Sequence, residues 1–355
     1  MIYPDCKMQF LEEVPLAPYT TFQIGGPARW FAQAASEDDI ATGVAFAAER
    51  KLPLFILGGG SNLLVSDAGF PGLVLRIALH GIESAGENGR SILSAAGGED
   101  WDGLVSFAVA AGLAGVECLS GIPGTVGGTP VQNVGAYGQE VSQTIVTVRA
   151  FDREMRQFVD LPASECGFSY RRSIFNSSQR ERYVVSRVDY ALRKDAPANF
   201  VYADVARYFA ARNVTAPTLA EVREAVRSIR AQKGMLLMPG DADCRSAGSF
   251  FKNPVVPASA LDSLALELGV EKQSIPAYPA SKGEVKLSAA WLIERAGFAK
   301  GYALGNAGIS SRHTLALINR GGAKAAEVTA LRDKVIAAVA SRFAVRLDPE
   351  PVWLA

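Results

Sequence analysis

The chain has 355 residues, enough for two or three domains. Hydrophobic residues make up 49% and charged residues 20%, the balance of an ordinary soluble protein. Lys plus Arg (36) equals Asp plus Glu (36), so no basic excess points to nucleic acid, although a local basic pocket for a phosphorylated ligand remains compatible.

The cysteines, Cys6, Cys118, Cys166 and Cys244, form no CxxC pair and no zinc-ligand spacing with His80 or His313. They imply a reducing compartment and no metal site. The opening MIYPDCKMQFLEEVPLAP lacks the basic-then-apolar order of a secretory signal. No run reaches the roughly 18 apolar residues of a membrane helix. A soluble cytoplasmic chain is expected.

In chain order, Ser36 with Asp39 forms a capping box before a helix whose Ile40, Val44 and Ala48 share a face, with Pro53 beyond its end. Leu54–Leu57, Leu63–Val65 and Leu73–Leu75 read as short strands, so the first 80 or so residues look like a small α+β unit. A helix follows near Trp101, Leu104, Val105 and Ala108 and ends near Gly112. The stretch Ile145 to Tyr190 has strand character, in VTVRAFD, RQFVDL and YVVSRVDYAL. Thr218 and Glu221 box a helix with a Leu219, Val222, Val226, Ile229 stripe. Met238–Asp241 reads as a turn at a domain boundary. Val328, Leu331, Val335, Val339 and Phe343 mark the last helix, before a short strand near Val352.

Glycine clusters at 25–26, at 58–60 and between Gly121 and Gly138. It permits positive φ and close approach of backbone to a ligand. In Gly58-Gly59-Gly60-Ser61-Asn62-Leu63 a strand leads into a loop whose N–H groups suit a pyrophosphate. It is neither a GxGxxG fingerprint nor a Walker loop. The segment GIPGTVGGTPVQNVGAYGQEV mixes six glycines with two prolines and apolar residues, which describes a defined loop rather than a linker. Two such loops separated by a helix suit a dinucleotide with a planar head.

Those two segments, in the contexts GGGSNLLVSDAGFPGLVLR and SGIPGTVGGTPVQNVGAYGQEV, resemble the FAD-binding signatures of the UDP-N-acetylenolpyruvoylglucosamine reductase family. YTTFQIGGPA, ECGFSYRRSIF, GSFFKNPVV, VKLSAAWLIERAGFAKG and LALINRGGA are similar to further family motifs, in family order. The resemblance implies an α+β protein of three domains. Two form a vanillyl-alcohol-oxidase-type FAD-binding unit (1–79, then 80–238 with 344–355), and an α+β substrate-binding domain spans 239–343. It further implies FAD as cofactor, NADPH as co-substrate, and reduction of UDP-N-acetylglucosamine enolpyruvate to UDP-N-acetylmuramate for peptidoglycan precursors. FAD-binding residues on this resemblance are Gly58, Gly59, Gly60, Ser61, Asn62, Leu63, Gly121, Ile122, Pro123, Gly124, Gly127, Gly128, Asn133, Gly135, Ala136 and Tyr137.

Hydride addition to the β-carbon of an enolpyruvyl group leaves negative charge at the α-carbon, shared with the carboxylate. Catalysis needs positive groups aimed at that charge and a proton donor for the α-carbon. By resemblance, Arg171 in Tyr-Arg-x-Ser is the catalytic arginine, with Arg172 at the variable position. Ser249 in GSFFKNP is the proton donor, with Ser246 its nearby rival. Glu350 is the catalytic glutamate after a proline, and Pro351 departs from the family pattern. Tyr202, Lys233, Asn253 and Lys286 match substrate-binding positions. Tyr202 and its flanking segment suggest the longer subtype, in which a tyrosine-bearing loop covers the substrate. A different FAD-linked oxidase would account for the glycine loops but not for Arg171, Ser249 and Glu350 together. A non-catalytic flavin- or nucleotide-binding protein would be expected to lack one of the three. No heptad or apolar stripe stands out, so a monomer is expected.

Overall fold

The computed structural model describes residues 8–86, 89–200 and 202–355; Cys6 lies outside them. Seven helices lie within the described residues: α1 (Glu37–Glu49), α2 (Trp101–Ala110), α3 (Ala203–Ala210), α4 (Leu219–Gln232), α5 (Ala260–Leu268), α6 (Ala289–Arg295) and α7 (Ala325–Phe343). The two capping boxes read from the sequence form. Ser36 Oγ accepts the Asp39 N–H at 3.1 Å while Asp39 accepts the Ser36 N–H at 3.0 Å. Thr218 and Glu221 do the same before α4.

Contacts group the chain into two units of interleaved segments. Among the described residues, the first holds those of 8–14, 27–60 and 70–232. Its parallel strands Pro27–Ala34, Phe70–Ile77 and Leu54–Leu57 lie side by side, with α1 burying Ile40, Val44 and Ala47 against Leu73, Leu75 and Ile77. Its larger antiparallel sheet runs Gln157–Pro162, Ile145–Asp152, Tyr183–Lys194, Arg90–Ala96, Ile82–Ala85. From Ser186 to Leu192 buried and partly exposed residues alternate, as a sheet with one packed face requires. Trp101, 1% exposed, closes the core beneath, its indole N–H donating to the Leu119 carbonyl at 3.1 Å. A separate apolar cluster joins α3 to α4 through Val205, Phe209, Val222, Val226 and Ile229.

The second unit holds residues 15–26, 61–69 and 233–355. Short antiparallel sheets (Val255–Pro257, Glu284–Leu287, Ala277–Pro279; then Ala303–Leu304, Ala307–Ile309, Leu317–Asn319) share one apolar cluster with α7. Val328, Leu331, Val335, Val339 and Phe343 are buried as their spacing predicts. Asp67 accepts the Ala325 and Ala326 N–H groups at the start of α7, where an anion is favoured.

These groupings differ from the expected domain bounds. The first 80 residues are not one unit. Phe22, Ile24 and Leu64 are buried in the α7 cluster, which takes residues 15–26 and 61–69 out of the α1 region. Residues 344–355, expected beside 80–238, place Val352–Leu354 in parallel pairing with Leu63–Val65. The contact boundary falls at Gln232/Lys233, a few residues before the Met238–Asp241 turn, which does form, with the Asp241 N–H on the Met238 carbonyl at 3.2 Å.

Candidate active site

In the first unit the two glycine segments meet. A side chain at Gly59 would place its Cβ 2.7 Å from the Gly124 Cα, and one at Gly58 would lie 2.7 Å from Thr125 Oγ1. Only glycine permits that approach. Gly60, Gly121 and Gly124 all have positive φ. Thr125 Oγ1 is buried and has no hydrogen-bond partner among the described residues. A buried hydroxyl beside two backbone loops that exclude any Cβ fits the phosphate part of a dinucleotide, so the residues present suit FAD.

Supports that no motif announced hold this cradle. Asp102 in α2 accepts the Gly121 N–H at 2.6 Å, and Arg223 of α4 donates two bonds to it at 2.5 and 3.0 Å. Arg227 adds another. Burial pulls the Asp102 pKa up, but the hydrogen bonds from Arg223 and Gly121 and the nearby guanidinium charges outweigh it and hold the carboxyl below its ordinary value. Arg230, 8% exposed, donates to the Gly121 carbonyl at 3.0 Å. Both polar atoms of Gly121 are therefore fixed. The sequence signal was present: Arg223, Arg227 and Arg230 repeat at helical spacing on α4.

Arg171 sits in a tight turn in which Ser169 and Arg172 exchange backbone bonds. Its φ of +55° is costly for a non-glycine residue, and such strain gathers at functional sites. Arg171 Nη2 donates to the Gly135 carbonyl at 2.9 Å. The turn is tied to the second glycine segment again through Asn133 to the Ser169 carbonyl (3.1 Å) and Ser173 to the Val131 carbonyl (2.6 Å). Arg171 is half-buried and Arg172 exposed, which separates the two neighbours. Asn133, expected to bind FAD, spends its carboxamide within the protein, on Glu140, Ser169 and the Ser142 N–H.

Ser249 and Glu350, a hundred residues apart in sequence, are neighbours in the second unit. Phe251 bridges Pro349, the Glu350 N–H donates to the Phe250 carbonyl at 2.9 Å, and the Lys252 N–H to Asp348 at 2.9 Å. Both residues are half-buried. Ser246 is buried and its hydroxyl accepts the Gly248 N–H at 3.2 Å, which leaves Ser249 the better-exposed hydroxyl. Asn62, from the first glycine loop, donates from its carboxamide to the Glu350 carbonyl at 3.3 Å and accepts the Val352 N–H on its own carbonyl at 2.9 Å. Pro351 thus lies between two donating residues, at a position of the ladder that uses no N–H.

Of the substrate-site candidates, Lys233, Asn253 and Lys286 belong to the second unit and Tyr202 to the first. Asn253 Oδ1 accepts the Ala289 N–H at the start of α6 at 3.0 Å, a structural use of that carboxamide. Lys286 is half-buried opposite Val255 and Tyr278. Lys233 lies near His313, whose pKa burial, then the charges of Lys233 and Lys300, push down to about 4. Tyr202 is 43% exposed and meets Tyr137 edge-on at 5.4 Å. No group of three or more His, Cys, Asp or Glu among the described residues could hold a metal ion.

Residues 28–154 match an FAD-binding domain family, and residues 239–354 match the C-terminal domain of UDP-N-acetylenolpyruvoylglucosamine reductase. A UDP-N-acetylenolpyruvoylglucosamine reductase from Thermobifida fusca is 47% identical over 97% of this chain and 98% of its own length. The Nocardia farcinica enzyme of that name is 49% identical over 96% of this chain and 88% of its own. The crystal structure of a UDP-N-acetylenolpyruvylglucosamine reductase from Thermus caldophilus superposes with a TM-score of 0.65 at 25% identity, covering 98% of this chain and 99% of that one. The fold is accordingly a multi-domain α+β architecture, and the chain belongs to the UDP-N-acetylenolpyruvoylglucosamine reductase family.

Proposed function

We propose that this chain reduces UDP-N-acetylglucosamine enolpyruvate to UDP-N-acetylmuramate with NADPH as reductant, as a monomeric cytoplasmic enzyme of peptidoglycan precursor synthesis. When bound, FAD supplies the hydride relay between the nicotinamide and the enolpyruvyl β-carbon. The Gly58–Gly60 and Gly121–Gly128 backbone, with Ser61, Asn62 and Thr125, would hold it. Arg171 would face the substrate carboxylate, where its fixed charge opposes the charge that develops during reduction. Ser249 would give the α-carbon its proton, and Glu350 would assist that transfer. Lys233 and Lys286 would face the diphosphate, and Tyr202 the nucleotide end. The expected three domains, two for FAD and one for substrate, belong to the same reading.

The observation that carries this reading is the backbone bridge between Phe251 and Pro349, which sets Ser249 beside Glu350. Protonation of a carbanionic carbon requires an acid, and this bridge brings together the two backbone segments that carry the hydroxyl and the carboxyl. The test is direct. Purified protein should be yellow and should oxidise NADPH rapidly only when the enolpyruvyl sugar nucleotide is present. NADPH oxidation that ignores this substrate would end the proposal.

A further inference from the structure

Glu117 is fully buried in the first unit, and neither cofactor nor substrate binding has been assigned to it. Its carboxylate accepts three hydrogen bonds: the Gly115 N–H at 2.7 Å, Gln139 Nε2 at 3.0 Å and the Asn199 N–H at 3.1 Å. Gln139 completes the arrangement. Its Oε1 accepts the Cys118 N–H at 2.8 Å, and its Nε2 lies 3.4 Å from the Asn199 carbonyl. The backbone of Asn199 is therefore gripped at both its N–H and its carbonyl.

Three residues later Tyr202 opens α3, its carbonyl accepting the Val205 and Ala206 N–H groups at 3.0 Å. Along its length α3 is fastened by Val205 and Phe209, packed in the α4 cluster, of which Cys118 is also a member. Gln139 lies two residues beyond Tyr137, the ring that meets Tyr202 edge-on. One carboxylate thus ties three stretches of chain: the approach to Gly121, the end of the second glycine segment, and the start of the tyrosine segment. Burying a carboxylate costs several kcal/mol unless donors offset it, and a surface segment could be pinned more cheaply by apolar contacts. Directional bonds instead define one position for the Asn199 backbone.

We propose that Glu117 and Gln139 are positioning residues: they latch Asn199 and so hold the Tyr202 ring where it meets the nucleoside diphosphate end of the substrate. This rests on the proposed role of Tyr202 in substrate binding. The latch acts through Tyr202 and touches no reacting atom.

Steady-state kinetics of the FAD-loaded enzyme test it with Glu117→Gln, Gln139→Met, Tyr202→Ala and the double variant Glu117→Gln/Tyr202→Ala. Glu117→Gln points an amide donor at groups that are themselves donors. The KM for UDP-N-acetylglucosamine enolpyruvate should rise roughly tenfold, the cost of about one hydrogen bond's worth of misplacement, with kcat and the bound-flavin spectrum little changed. Gln139→Met should do the same and serves if Glu117→Gln does not fold. In the Tyr202→Ala background the Glu117→Gln effect should vanish, because coupled residues are non-additive. If Tyr202→Ala raises KM while Glu117→Gln and Gln139→Met leave it unchanged, or if the two effects simply add, the latch is overturned and the reading of Tyr202 stands. If Tyr202→Ala leaves KM unchanged, the reading of Tyr202 falls and the latch with it. Loss of flavin with KM unaltered in either latch variant marks a purely structural role and also overturns the latch.

Discussion

The two regions that carry the candidate chemistry are built in different ways. Arg171 belongs to a turn laced to the second glycine segment by side chains: Asn133, Ser173 and its own guanidinium on Gly135. The cofactor cradle beside it is likewise held by side chains, with Asp102 and Arg230 on Gly121. Ser249 and Glu350 are instead held by a backbone ladder, with one side chain, Asn62, on the Glu350 carbonyl. The comparison teaches where each region is vulnerable. A side-chain lattice fails one residue at a time and takes its loop with it. A ladder tolerates most side-chain changes, so substitutions there should report on chemistry rather than on folding.

The largest effects should come from the groups proposed to act on the substrate. Ser249→Ala should lower substrate reduction by roughly 10²–10⁴, the usual worth of a general acid, with NADPH-driven flavin reduction retained. Arg171→Ala should show the same split. Stopped-flow measurement of the two half-reactions reads both. Equal loss of both halves in Ser249→Ala would remove it from proton transfer and would also contradict the idea that the ladder insulates folding from side-chain change.

Next in size is Asp102→Ala. It leaves the Gly121 N–H and two arginines without their acceptor, and breaking such a partly buried charge cluster costs about 3 kcal/mol. Urea unfolding should show the loss, together with faster flavin release. A variant as stable as the parent, with flavin retained, would mean that the cradle does not depend on this support. Asn62→Ala sharpens the contrast. As a purely FAD-binding residue it should lose flavin. As the residue gripping the Glu350 carbonyl it should keep most flavin, lose about 1 kcal/mol of stability and lower kcat several-fold.

Much of this was legible from short-range signals. The Ser36/Asp39 and Thr218/Glu221 boxes and the α7 stripe act within one or two turns, so spacing alone reveals them. The glycine segments were legible because close backbone approach leaves no other residue type. What could not be read was long-range. Nothing local in Phe22, Ile24 or Leu64 says that they pack with α7. Helix α3 was seen only as a segment around Tyr202. Asp102 and Glu117 look like ordinary acidic residues near a helix start and a turn, and only the partners that reach them from distant positions give them meaning. Asn133 and Asn253 show a further long-range feature: motif membership suggested ligands, and the structure adds that the Asn133 carboxamide and the Asn253 Oδ1 bond groups of the protein itself.

The last effect is one of pH and concerns His313, in the ladder-built unit beside Lys233. Burial disfavours its charged form, and Lys233 and Lys300 disfavour it further, which pushes its pKa down to about 4 from 6.5. The sign comes from linkage. The folded protein refuses a proton that the unfolded chain accepts below about pH 6.5. Stability is therefore undiminished above that value, falls as pH drops towards 4, and levels off once the folded state protonates as well. With only two histidines in the chain, NMR titration separates them readily. His80 is exposed, whereas the His313 ring signals should stay those of neutral imidazole down to about pH 5. In Lys233→Met the His313 midpoint should move up, because one repelling charge is gone. A parent midpoint near 6.5 would show that the His313 ring is not shielded by burial, and a midpoint that does not move in Lys233→Met would show that the Lys233 charge does not act on it.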